Sequence, residues 1–300
     1  MSFSIRVPSL ITPVYCIRQT EEPKFLEKRG TNKEVKAYDH LKRRIAYQRG
    51  AAIDNYRRII ATTIQEGFFC SDTVGYIVDT QYKLETVLAF LNSKLSEWRF
   101  SLTSTTNHIN AYELNVIFIP KISFNTKSDR RQQSLEKLIK SYQEKQEILK
   151  EIEEHIRREE TDIVHDILAY LAEQMIEINR EKQKEIKSFL RYLERIIGSA
   201  IDNLTNKSKI QNYLGDYQKS EPHLSFEQLG EILKKNKKKI SVNLLDRQIQ
   251  ETLEKEYQTS LDKLLPLKQQ LSSTDELIDL IVYKLYGLSE EEIKIIQGRE

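Results

Sequence analysis

The feature that most constrains this chain is a recurrence of apolar residues at helical spacing through its second half. Ile167, Leu168, Leu171, Met175, Ile178, Ile186, Leu190, Leu193 and Ile197 fall on one helix face, and Leu135, Leu138, Ile139, Tyr142, Leu149, Ile152 and Ile156 form an earlier stripe. Set among Glu, Lys and Gln, such stripes bury a face only against other helices. Two long helices are expected, with a break near Glu159 to Asp162 where Thr161 or Asp162 caps the second, and a stop at Gly198 to Asp202. A short break lets them fold back as a long antiparallel hairpin over residues 123–211; the alternative is a continuous helix pairing with another chain.

Further on, Ser225 to Glu231, Leu244 to Gln258, Leu261 to Gln270 and Thr274 to Tyr286 read as shorter helices of a region 224–300, and Ser289 with Glu292 forms a capping box for a last one. Asn212 to His223, with Pro222, is the expected linker. Before Ile122 the texture differs. Short β-branched and aromatic runs, Ile5 to Val7, Pro13 to Ile17, Arg44 to Gln48, Arg58 to Ile64, Thr73 to Val78 and Val116 to Ile119, read as strands. One amphipathic helix is expected from Tyr82 to about Ser101, with Leu84, Val87, Leu88, Leu91, Leu95 and Trp98 on its apolar face. The expected class is α+β: a mixed, β-rich domain over residues 1–122, then a mainly helical region.

Composition narrows the chemistry. At 300 residues with 39% hydrophobic side chains the chain can bury at least one sizeable core, so a wholly disordered polypeptide is not expected. Mean hydropathy is −0.56, and no run is long and uncharged enough to span a bilayer. The first residues lack a basic segment followed by an apolar one, and Cys16 and Cys70 are too far apart in sequence for a metal-ligand spacing. Reduced thiols in the cytoplasm are the plain expectation. Nine scattered glycines exclude G-x-G-x-x-G and the Walker loop, both of which need clustered glycines so that amides can approach phosphate; H-E-x-x-H and G-x-S-x-G are absent as well. An autonomous enzyme would need catalytic residues without a recognisable motif.

Charge is unevenly divided. Residues 1–122 hold 17 Lys+Arg against 12 Asp+Glu, and residues 123–300 hold 30 against 33. Residues 42–58 concentrate Lys42, Arg43, Arg44, Arg49, Arg57 and Arg58 against Asp54, a cluster that attracts polyanions. Period-two alternation puts Ile45 and Tyr47 toward a core and leaves Arg44 and Gln48 outward.

Five segments, Arg44 to Arg49, Arg57 to Thr62, Ser71 to Tyr76, Tyr82 to Leu95 with its Leu91-Asn-Ser-Lys-Leu95, and Ile117-Phe-Ile-Pro-Lys-Ile122, resemble in order and spacing the TaqI-like target-recognition domain. In that family the domain follows the core of an adenine-specific DNA methyltransferase, often within a single-chain restriction-modification enzyme. Ile278 to Ser289 is similar to the closing helix of such proteins. The resemblance implies a specificity module for double-stranded DNA that works with a methyltransferase catalytic domain or subunit, and no membrane. The Asn/Asp-Pro-Pro-aromatic motif that holds a flipped adenine is missing here, as is the glycine turn that binds S-adenosylmethionine, so that cofactor is expected only in a partner. Glu185-Ile-Lys187 and Glu292-Ile-Lys294 are chance triplets of a Lys/Glu-rich chain rather than a nuclease signature. A second reading makes the helical half the functional part, a coiled-coil interaction subunit resembling the spacer helices of type I restriction specificity subunits.

The DNA-contacting candidates follow from what phosphates and base edges accept. Arg43, Arg44, Arg49, Arg57 and Arg58 suit phosphate or guanine, and Gln48, Asn107, His108 and Asn110 suit base edges. The arginines can equally pair with Asp54, Asp72 and Glu85, and the Ser/Thr/Asn-rich run Ser101 to Asn110 can equally satisfy its own backbone. Trp98 reads as core, and His155 and His165 as incidental rather than metal ligands. Lys234, Lys235, Lys237, Lys238 and Lys239 either touch DNA or remain hydrated at a helix end, complementing its dipole.

Overall fold

The computed structural model describes residues 16–18, 38–53, 55–114, 117–244 and 246–298. The expected strand Ile5 to Val7 lies outside them. A small antiparallel sheet precedes a mostly helical region, so the class is α+β. The chain forms two compact units, one of residues 11–176 and 274–300, the other centred on residues 177–273.

In the first unit β1 (Cys16–Arg18) pairs antiparallel with β4 (Phe68–Cys70), and β2 (Arg44–Gln48) lies between β3 (Ala61–Ile64) and β5 (Val74–Ile77). Tyr47 stands opposite Gly75, where any side chain would collide with its ring. Two helices, α1 (Leu84–Leu91) and α2 (Lys94–Ser101), replace the single one expected. Asn92 causes the break: its side chain accepts from Ala61 N and donates to Ala61 O, both at 3.1 Å, while Ser93 caps α2. The turn also moves Trp98 off a continuous stripe to a half-buried position. Val87, Leu88 and Leu91 pack with Ile45, Tyr47, Ile59 and Phe100 to form the core. Next comes α3 (Ala111–Leu114); in the expected exit strand, residues 117–119 make no ladder, and Val116 is not among the described residues.

The first apolar stripe is divided into α4 (Ser128–Gln143) and α5 (Leu149–Arg157), and the chain reverses at Glu159 (φ +58°) into α6 (Thr161–Ile197). Thr161 and Asp162 open α6: Asp162 Oδ1 accepts from Ile163 N (3.0 Å) in the first turn, and the two side chains also accept from Ser123 N (2.9 Å) and Thr126 N (3.0 Å), anchoring the segment that leaves the sheet.

In the second unit follow α7 (Lys207–Gln211), α8 (Phe226–Lys235) with its Ser225/Gln228 capping box, and the start of α9 (Arg247–Tyr286). Three expected C-terminal helices are thus one, running through Pro266. The long antiparallel pair is α6 with α9 rather than α6 with the first stripe: Glu185 bonds Lys263 at 3.2 Å, and Phe189 stacks on Tyr257 at 5.4 Å. Asn212 to His223 is no loose linker. Tyr213 is fully buried with its hydroxyl 2.7 Å from Ser260 Oγ, and Lys268 donates to Leu214 O and Glu221 O. A last helix, α10 (Glu290–Ile296), carries the Ser289/Glu292 box. No helix among the described residues is long and apolar enough to cross a membrane.

Candidate nucleic-acid interface

Three stretches meet at one end of the three-stranded sheet. Beyond β2, Arg49 N donates to Thr73 O (2.9 Å), Ile109 N donates to Arg49 O (2.7 Å), and Ala51 N donates to Asn107 O (2.9 Å), so Gly50 and His108 form an antiparallel bridge. Asn107 Oδ1 accepts from Ile53 N at 3.1 Å, and Arg49 reaches Asp72 O at 3.1 Å. Arg49, Asn107 and His108 are exposed on this rim, Gln48 is half-buried and turns onto Gly50 O, and Ile53 beside them is 55% exposed. Asn110 closes the loop by donating to Glu113 Oε2 at 3.0 Å.

The other four arginines lie elsewhere. Arg44 is 2% exposed and does not point outward, because the second face of β2 is also covered. The alternation holds, but this arginine is enclosed: it donates to Asp39 O (3.0 Å), Lys42 O (3.1 Å) and Phe68 O and lies over the Tyr76 ring. Arg58, also 2% exposed, donates to Ser104 O (3.1 Å), Ser104 Oγ (3.2 Å) and Thr106 O above the Phe100 ring. It thereby holds from inside the loop whose tip presents Asn107 and His108. Arg57 is buried 3.5 Å from Asp275. Arg43 is exposed, bonds Thr63 at 3.5 Å and pairs with Glu85.

Sequence reasoning missed the groups that build this rim. Glu97 Oε2 accepts from both Arg58 N and Ile59 N at 2.9 Å, and Asn92 serves Ala61, so one polar residue of α2 and one of the α1–α2 break satisfy the backbone leading into β3. A Ser-Lys after Leu-Asn is visible in the sequence only as a local cap; its long-range partner is not.

Two buried ionic clusters complete the picture of this unit. Asp166 receives Arg131 through Nε (2.6 Å) and a second nitrogen (2.8 Å), Lys83 (2.9 Å) and His165 Nδ1 (3.0 Å). Burial pushes its carboxyl up, but these bonds outweigh burial and hold it well below the usual carboxylate range. His165 Nε2 accepts from Lys83 N at 3.2 Å, which assigns the proton to Nδ1. His155 instead pairs with Glu160 at 2.8 Å, so the two histidines do not converge, and no metal-binding group occurs among the described residues. In the other cluster Asp279 accepts from Lys94 N at 2.8 Å. Burial and the neighbouring Asp275 raise its carboxyl to about 6, against the pull of Arg57 and Lys94.

Within the second unit Lys182 is 4% exposed, and its ammonium is lowered to about 8 by burial, with Asp216 opposing and Lys268 adding to the shift. A shallow depression of about 680 Å³ lies at the end of α6, lined by Arg191, Glu194, Arg195, Gly198, Ser199 and Ala200.

Among known families, one described as a domain of unknown function (DUF8810) matches residues 161–282. No curated protein and no solved structure matches the chain.

Proposed function

We propose that this chain is a DNA sequence-specificity module of an adenine-specific DNA methyltransferase or restriction-modification system, acting in the cytoplasm by positioning the duplex for a partner catalytic domain. The observation that carries the reading is the Gly50 to His108 bridge, which gathers Gln48, Arg49, Asn107 and His108 from distant stretches onto one edge. Side chains of these types give bidentate or single contacts to base edges and phosphates, and a loop braced from below by Arg58 presents them with little ordering cost. The duplex would be held so that the partner, carrying S-adenosylmethionine, extrudes the adenine. No step of bond chemistry falls to this chain.

Co-expression with a neighbouring methyltransferase frame, followed by mapping of methylated adenines, tests the proposal. A site-specific pattern that requires this chain and is lost or relaxed in Arg49→Ala/Asn107→Ala is the expected result. A pattern identical with and without the chain would refute it. The second reading, a helical interaction subunit, is favoured by the antiparallel pairing of α6 and α9; it expects the partner complex to survive the rim substitutions unchanged in specificity.

A further inference from the structure

The charge of the helical half hides an island. Residues 123–300 sum to −3, yet residues 177–273 carry 18 Lys+Arg against 14 Asp+Glu, and residues 191–239 alone carry 10 against 6. The whole positive excess of the unit therefore falls within 191–239.

The fold gathers much of this charge at one corner. Asn236, 3% exposed, ends α8 and latches it to the preceding loop: its Oδ1 accepts from Thr205 N (2.8 Å) and Thr205 Oγ1 (2.9 Å), and its Nδ2 donates to Thr205 O (3.1 Å) and Ile232 O (2.9 Å). The 3-10 turn Lys237–Lys239 follows directly. Lys239 Nζ donates to Asn203 O (2.7 Å), and Ser241 donates through N (3.0 Å) and Oγ (3.2 Å) to Ile197 O, the last residue of α6. A Cβ at Gly198 (φ +66°) would strike Ser241, so that glycine permits the close approach. Pinned at both ends, the lysine turn is fixed against the segment that lines the Arg191/Arg195 depression.

Two nearby acids are already engaged. Glu194 accepts from Ile201 N at 3.0 Å, and Asp202 takes Lys207 at 3.1 Å and Gln211 at 3.3 Å. Among the described residues no carboxylate lies within 4.0 Å of a side-chain nitrogen of Arg191, Arg195, Lys234, Lys235, Lys237 or Lys238. Cations without a carboxylate partner add to a positive local potential that attracts a polyanion.

We propose that this corner of the helical unit binds the phosphate backbone of duplex DNA. The kind of partner follows from what accompanies the charge. A membrane surface would call for exposed apolar side chains beside the lysines, and single strands for aromatic platforms; none of the large exposed apolar residues falls between 191 and 239. Cations alone, on a rigid turn, suit a sequence-independent phosphate ladder. The inference does not depend on the sheet rim reading bases.

The test uses the full chain and a duplex of arbitrary sequence, about 25 base pairs long, with affinity measured across a salt series. Lys237→Glu/Lys238→Glu should weaken binding about ten-fold or more at low salt and flatten the salt dependence by about two phosphate equivalents, and Arg191→Ala/Arg195→Ala should act in the same direction. Unaltered thermal unfolding would establish that both variants fold. Affinity and slope equal to wild type in both folded variants would overturn the proposal, as would displacement of DNA by anionic lipid vesicles at equal charge. Arg49→Ala/Asn107→Ala separates the two readings: a rim defect without a corner defect leaves the specificity proposal standing alone, and the reverse leaves only this one.

Discussion

Two arginines of the sheet unit and four lysines of the helical unit carry the same kind of charge and have opposite fates. Arg44 and Arg58 are enclosed, each forming bonds to several backbone carbonyls and lying over an aromatic ring. Lys234, Lys235, Lys237 and Lys238 stay exposed, each without a carboxylate inside 4.0 Å among the described residues. Side-chain chemistry accounts for the difference. A planar guanidinium with five donors is weakly hydrated and can satisfy several converging carbonyls, whereas a compact ammonium holds its water strongly and loses more by burial. A basic cluster in a sequence is therefore a statement about charge and not about surface. In the sheet unit Arg44, Arg57 and Arg58 are spent internally, whereas in the half that looked acidic Lys234, Lys235, Lys237 and Lys238 stay open to a partner.

The largest effect that can break this comparison concerns Arg58. Replacing it by Ala should cost about 3 kcal/mol in chemical denaturation, because a buried charge-assisted network is lost together with the ring contact. Lys at the same position should recover little, since one ammonium cannot reach Ser104 O, Ser104 Oγ and Thr106 O together. Full recovery by Arg58→Lys would mean that charge, not the fork, is what the loop needs.

A smaller and pH-dependent effect belongs to the Arg57, Asp275 and Asp279 cluster. The folded carboxyl of Asp279 titrates near 6, above the usual carboxylate value, so the stability it contributes is present below the unfolded value and lost as pH rises through about 6. Wild type should thus gain roughly 1–2 kcal/mol relative to Asp279→Asn between pH 7 and 4.5. Asp166 has the opposite sign: its depressed carboxyl contributes above the ordinary carboxylate range, and that stability is lost as pH falls through and below it. Urea midpoints of the two Asn variants against wild type should diverge in opposite directions on acidification. Parallel curves would show that neither burial nor the bonded cations set these titrations.

The smallest expected effect sharpens the comparison from the other side. Lys238→Ala should change stability by less than about 0.5 kcal/mol, as for an ordinary hydrated surface residue. A larger loss would mean that the turn takes part in holding the unit together, and its availability for phosphate would have to be reconsidered.

What could be read in the chain beforehand was what local periodicity and local chemistry control. The stripe through Ile167, Leu171 and Ile197 foretold α6, and Gly198 its end, because an apolar face and a left-handed stop are properties of neighbouring residues. The Ser289 cap, a helix starting at Ser225, the α+β class and the alternation of β2 were legible for the same reason. The break in the Tyr82 to Ser101 helix was not, since its cause is a pair of bonds from Asn92 to Ala61.

Tertiary structure decided which faces were covered and which elements met. Asn212 to His223 has the composition of a linker, yet Tyr213 and Lys268 fix it in a core, because a buried backbone with its carbonyls bonded is as stable as any regular element. Pro266 removes one helical bond without ending α9, whose partner α6 was not the stripe nearest in sequence. Arg44 sits on the strand face that alternation gives it, but alternation does not say whether a second layer lies over that face. Burial and pairing depend on groups far apart in the chain, and only the folded arrangement settles which cation becomes a strut and which remains open to an anion.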